Sequence, residues 1–160
     1  MAIDNQKFKD ALKLWASGVS VVTANSAQGE QGMTATSFAS VSMDPPQILV
    51  CINDSAETGA AILEDKKFAV NILTAAQEQV SNQFAGGSSM QERFANVKWH
   101  KGDLGLPVLD EALVSMECTV VQQVRAGTHW VVIGEIQSTQ CHSGEPLLYF
   151  DSSYRNVAGK

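Results

Sequence analysis

Basic residues are scarce in this sequence of 160 residues: 11 Lys and Arg stand against 17 Asp and Glu, a net charge of -6. That balance argues against nucleic acid or an anionic membrane surface as a partner, since either needs a basic face. The shortage is sharpest between Lys13 and Lys66, where no Lys or Arg occurs at all. Cysteine is limited to Cys51, Cys118 and Cys141 in no close-spaced pair, so reduced thiols and a cytoplasmic location are expected. The start Met1-Ala2-Ile3-Asp4-Asn5 lacks the basic and apolar blocks of a secretory leader, and no apolar run reaches membrane-spanning length.

Several motifs are missing too. No Gly-x-Gly-x-x-Gly follows a strand and no Gly-x-x-x-x-Gly-Lys-Ser/Thr occurs, which leaves Rossmann and P-loop nucleotide sites unsupported. His100, His129 and His142 have no cysteine or carboxylate at metal-ligand spacing, and no Gly-x-Ser-x-Gly elbow favours a hydrolase.

What is present centres on Gly32-Met33-Thr34-Ala35-Thr36-Ser37-Phe38-Ala39-Ser40-Val41-Ser42, then Asp44-Pro45-Pro46 and the apolar run to Asn53. Small hydroxylated residues between two strands can hold a phosphate or the polar edge of a ring through hydroxyls and backbone N–H groups. Any cation for such a phosphate must come from elsewhere, and Arg125 and Arg155 are candidates.

Around this stretch, Phe8, Ala11, Leu12 and Trp15 predict an amphipathic helix over 5–15 that covers an opening of the core. The β-branched run Val19–Ala24 predicts a strand, paired as a hairpin with one returning at Met33. Further strands are expected at 48–52, 68–73, 113–124, 130–136 and 147–150. Helices are expected at 55–65, with Ser55 as a possible N-cap, and at about 76–84. Residues 98–109 read as irregular and the tail from Asp151 as polar. Six or seven strands without strict strand–helix alternation predict one domain, 1–160, of the mainly β class, an antiparallel barrel with accessory helices.

Ordered pieces along nearly the whole chain resemble the flavin reductase family with a split-barrel flavin-binding domain, especially the small reductase components of 4-hydroxyphenylacetate-type two-component monooxygenases. They include Gly32–Ser37, Asp44-Pro45-Pro46, Val50–Asn53, Phe68–Leu73, Gln83–Gly86, Glu92-Arg93-Phe94, Gly127-Thr128-His129 and Tyr154-Arg155. The resemblance implies a Greek-key split β-barrel and a homodimer. It implies FMN or FAD as flavin, NADH or NADPH as hydride donor, and a separate monooxygenase that receives reduced flavin. The ring would lie on Thr34, Ala35, Thr36 and Ser37, and the ribityl phosphate near Ser40, Asn53, Ser55, Thr58 and Asn71. Cys51 and Phe84 complete the implied flavin set, and Tyr154, Arg155 and a catalytic His129 would face the flavin or nicotinamide. Many members carry Asn at the position of Thr36, and Asp54 and Glu57 add acid beside the implied phosphate. The residues alone leave other roles open: Asn71 as a satisfied core amide, Asn53 as a turn residue, and Cys51 and Cys118 as small buried hydrophobes. A split-barrel protein that binds flavin or haem without turnover, or an inactive oxygenase subunit, are the alternatives; hydride transfer itself needs only two rings held in register.

Overall fold

The computed structural model describes residues 2–157. In chain order the elements are α1 (Asn5–Leu12), β1 (Ser17–Gly18), β2 (Ser20–Ser26), β3 (Gly29–Ala35), β4 (Phe38–Met43), β5 (Pro46–Asn53), α2 (Glu57–Asp65) and β6 (Lys67–Ile72). After a 3-10 turn follow α3 (Glu78–Phe84), α4 (Met90–Ala95), β7 (Trp99–Lys101), β8 (Pro107–Leu109), β9 (Val114–Ala126), β10 (His129–Cys141), β11 (Leu148–Phe150) and β12 (Ser153–Arg155).

The main sheet has seven strands in the order β3-β2-β6-β9-β10-β5-β4, and every ladder in it is antiparallel. Its two ends, β3 and β4, are consecutive in the chain and separated only by Thr36 and Ser37. Flat, such a sheet would span about 29 Å, whereas the link from Ala35 to Phe38 reaches at most about 11 Å. The sheet must therefore curl, and because no ladder joins β3 to β4 among the described residues, the resulting barrel is split at that seam. The mainly β, antiparallel, split-barrel expectation thus holds, and β6 and β10 each pair with strands distant in sequence, as Greek-key connections require.

Strand β2 is buried on both faces from Ser20 to Ala24, which is why its sequence shows no clean apolar–polar alternation; its buried Ser20 and Thr23 hydroxyls donate to the Ala35 and Pro107 carbonyls. Val22 and Ala24 face the barrel interior with Ile52, Phe68, Cys118 and Val132. Val19 and Val21 join a second cluster with Leu73, Phe84, Leu109 and Leu147 outside it. The barrel closes tightly at Gly134, where an added Cβ would meet the Phe68 ring at 2.5 Å.

Three expectations need correction. The N-terminal helix ends at Leu12 and buries no residue; Phe8 is 54% and Trp15 74% exposed. Amphipathic spacing identifies an apolar face but not its cover, and among the described residues this face stays largely exposed. The second helix starts at Glu57 after Ala56, and Ser55 does not cap it: its N–H and hydroxyl both donate to the Asn53 side chain. Residues 98–109 are not wholly irregular, since β7 and β8 pair as a short hairpin, and the tail forms β12 against β11.

Candidate functional site

Thr34, Ser55, Thr58 and Phe84 line one cavity of about 370 Å³, together with Glu57 and Arg93. It lies between the end of β3, the N-terminus of α2 and the stretch from α3 to α4. Thr34 is held by its hydroxyl, which donates to the Ser81 carbonyl at 2.6 Å. Above it, α2 begins without any side-chain cap, so the first-turn N–H groups remain available to an acceptor from outside the helix and carry its positive end. Thr58 is 1% exposed, and its Oγ1 has no hydrogen-bond partner. Buried hydroxyls are ordinarily satisfied.

Arg93 enters the same cavity from α4. Its Nη1 donates to the Gly32 carbonyl at 2.8 Å, and its backbone carbonyl accepts from Gln83 at 2.6 Å, while its buried Nε has no partner. Sequence reading missed this residue as a site group. Its signal was the Ser89–Glu92 capping box, which starts α4 and so orients the arginine that follows.

The link across the seam is tied to β5: the Ser37 hydroxyl donates to the Cys51 carbonyl at 2.8 Å, and the Cys51 N–H donates to the Ser37 carbonyl at 3.3 Å. Ala35 is buried, whereas Thr36 and Ser40 are exposed, and Thr36 also faces an apolar hollow shared with Trp15, Phe38 and Ile72. At the far end of β5, Asn53 sits opposite His129 in the ladder. His129 is exposed, with Nδ1 2.9 Å from the Thr128 hydroxyl. Asn53, Ser55 and His129 are thus brought together beside the start of α2.

Other residues go elsewhere. Asn71 is fully buried and its amide is satisfied internally, donating to the Val21 carbonyl and Thr23 and accepting from the Leu109 N–H and Ser115. Tyr154 bonds through its hydroxyl to Ser81 and Asn82 on α3. Arg155 lies over the Phe150 ring, and Arg125 pairs with Asp54 at 2.7 Å. Neither arginine lines the cavity.

A flavin phosphate fits what the cavity lacks: an acceptor for an unfilled helix terminus, an orphaned hydroxyl and a guanidinium nitrogen. An antiparallel barrel open at one seam, with a cavity beside it whose unpartnered groups are donors, has the chemistry to receive a phosphorylated ligand. The chain belongs to the flavin reductase like domain family, which matches residues 12–158. It is 39% identical to the FMN reductase (NADH) RutF of Escherichia coli, over 95% of this chain and 93% of that protein. Among solved structures it resembles the flavin reductase PheA2, with a TM-score of 0.89 and 35% identity over 98% of this chain and all of that one. The NADH:FAD oxidoreductase SgcE6 of Streptomyces globisporus, in complex with NAD and FAD fragments, gives a TM-score of 0.90 at 29% identity, covering 99% of this chain and 97% of its own. The styrene monooxygenase flavin reductase of Pseudomonas putida gives 0.87 at 28% identity, covering 96% and 98% respectively.

Proposed function

We propose that this chain is an NAD(P)H-dependent flavin reductase that reduces FMN or FAD and passes the reduced flavin to a separate monooxygenase. The observation that carries the reading is the Thr58 hydroxyl, buried without a partner under an uncapped helix start, in the cavity that Thr34 shares. The names of the relatives support flavin as substrate and NADH as donor. The bound flavin supplies the hydride acceptor.

The protein's own groups bind and orient. The ring edge lies along the seam residues Thr34, Ala35, Thr36 and Ser37. The Thr34 and Ser37 hydroxyls are spent on the Ser81 and Cys51 carbonyls, so the donors there are the Thr36 hydroxyl and backbone N–H groups, and donors aimed at N1 and C2=O favour the reduced, anionic ring. Ser55 and Thr58 receive the ribityl phosphate in the cavity, with Phe84 on its wall; Ser40 and Asn53 do not line that cavity, and Asn53 acts there by holding Ser55. His129, next to Asn53, orients the nicotinamide, and Cys51 holds the seam link in place. The apolar face left bare by Phe8, Leu12 and Trp15 supports a homodimer. Free thiols at Cys51, Cys118 and Cys141 are consistent with a single-domain cytoplasmic enzyme.

Stopped-flow mixing of purified protein with NADH and each flavin tests the reading. NADH oxidation that saturates with added FMN or FAD is expected, and Thr36→Ala lowers flavin affinity several-fold; a protein that binds flavin but never oxidises NADH or NADPH is instead a cofactor-binding module.

A further inference from the structure

We propose that the hollow between the outer face of α2, the β2–β3 turn and the start of α4 binds a linear aliphatic polyamine. Glu57 and Glu64 each take a terminal ammonium, and Gln31 accepts from an N–H between them. The bound cation also strengthens flavin binding through Glu57, a link that rests on the flavin reductase reading above.

This hollow, of about 550 Å³, adjoins the flavin cavity and shares Glu57 and Met90 with it. One wall is a single stripe of α2: Glu57, Ala60, Ala61 and Glu64 are spaced i, i+3, i+4 and i+7, and so share one helical face. At about 1.5 Å per residue the two exposed acids stand about 10 Å apart along the axis, a spacing that suits two cations joined by a chain. Neither carboxylate is in an ion pair, no Lys, Arg or His lines the hollow, and no group of three metal-ligating side chains occurs, all among the described residues. Between the acids the surface is alanine methyl, with Met90 adding to it from α4, as methylene groups require. On the β3 side Gln31 lines the same hollow and is only 6% exposed; its Nε2 donates to Ser26, while its buried Oε1 has no hydrogen-bond partner. A buried amide oxygen left unpaired is costly, and an ammonium N–H is the partner it lacks. Two unpaired carboxylates and an orphaned acceptor exclude an anion and select an extended, donor-rich cation. Because Glu57 stands on the wall of both hollows, an ammonium bound to it cancels the acid that otherwise opposes the flavin phosphate. Linkage then requires FMN to tighten polyamine binding by the same factor.

Isothermal titration of the flavin-free protein at low salt compares spermidine with two diamines of equal charge, octamethylenediamine and the shorter tetramethylenediamine, on wild type, Glu64→Gln and Gln31→Met. Wild type is expected to bind the longer diamine about two- to fivefold more tightly than the shorter one, which reaches one carboxylate only, and Glu64→Gln removes that difference. Spermidine, with its inner N–H, binds more tightly than either, and Gln31→Met narrows its lead. With spermidine present, fluorescence titration is expected to show FMN binding about two- to fivefold tighter in wild type, with little or no gain in Glu57→Gln. Equal affinity for the two diamines, an unaltered profile in Glu64→Gln, or no spermidine binding up to about 1 mM overturns the site. Spermidine binding that FAD abolishes and FMN leaves intact overturns it as well, and gives the hollow to the adenylate end of the dinucleotide. Bound spermidine that leaves FMN affinity unchanged overturns the link through Glu57. Should Gln31→Met fail to fold, the diamine pair on wild type and Glu64→Gln decides alone. Wild type that binds spermidine but neither flavin refutes the flavin reductase reading and leaves the polyamine site standing.

Discussion

Asn71 shows how one residue can interrupt an apolar strand and still stabilise it. Its four hydrogen bonds join β2, β8 and β9 behind the seam. Asn71→Leu strands the Leu109 N–H and the Ser115 hydroxyl, and a loss of about 2–4 kcal/mol in denaturant unfolding is expected. The sequence exposed this residue as an exception but could not say whether its amide faced a pocket or the core, because that depends on β8 arriving from 38 residues away. Cys118 was easier to read, since alternation with Val114, Met116 and Val120 put it inside. Burial, with the Glu117 carboxylate adding to it, pushes its thiol up to about 12 from 9.0. At pH 8 only about one molecule in 10⁴ carries that thiolate, so a thiol reagent labels the exposed Cys141 first and Cys118 only on unfolding. The folded state keeps the Cys118 proton where the unfolded chain loses it, so this group's contribution to stability is full below about pH 9 and declines towards pH 12. Peptide mapping after labelling at stepped pH checks the order.

Among the elements, β3 and the α3–α4 stretch are packed without slack. A Cβ on Gly32 would meet the Phe84 ring at 2.6 Å and the Phe94 ring at 3.2 Å. Those rings pack edge-on with each other, and Phe94 does the same with Trp99, so they have little room to yield. Gly32→Ala therefore costs about 1–3 kcal/mol, visible as a lower thermal midpoint. It also displaces the carbonyl that anchors Arg93, which weakens FMN binding. Most elements were readable from periodicity and turn residues, including the long β9–β10 ribbon, although that ribbon runs further than its apolar pattern. Those missed are β1, with two residues, β7, β8 and β12, with three each and too few to show a period, and β4, whose small, hydroxylated and mostly exposed residues read as a link between strands. Their pairing is decided by distant contacts, such as Trp99 packing on Phe94. The start of α2 was misjudged because Ser55 has the composition of a cap, yet Asn53 takes its hydroxyl first.

For the molecule as a whole, the bare face of α1 bears on the proposed homodimer more than on the fold of the single chain. Since no residue of α1 is fully buried, and the segment's tie to the C-terminal turn is the Asp151 N–H donating to the Lys13 carbonyl, a chain lacking residues 2–14 is expected to unfold with only a slightly lower midpoint when dilute. If the full chain is the proposed homodimer, light scattering should show the truncated chain's mass shifted from two copies towards one; an undiminished dimer would place the interface elsewhere. The barrel class was legible from strand count and composition. The seam was not, because it arises from β3 and β4 standing at opposite ends of the sheet while adjacent in sequence. Small residues marked the place without revealing that it was a gap. The gap carries a mechanical consequence. Along its two lips, alternate amides have no ladder to shield them, and exchange with deuterated water is expected to be fastest there within the sheet. A molecule lodged in the opening acts as a clasp, so the loaded protein is stiffer than the empty one, and the slowing of exchange begins on those lips before it spreads to the staves behind.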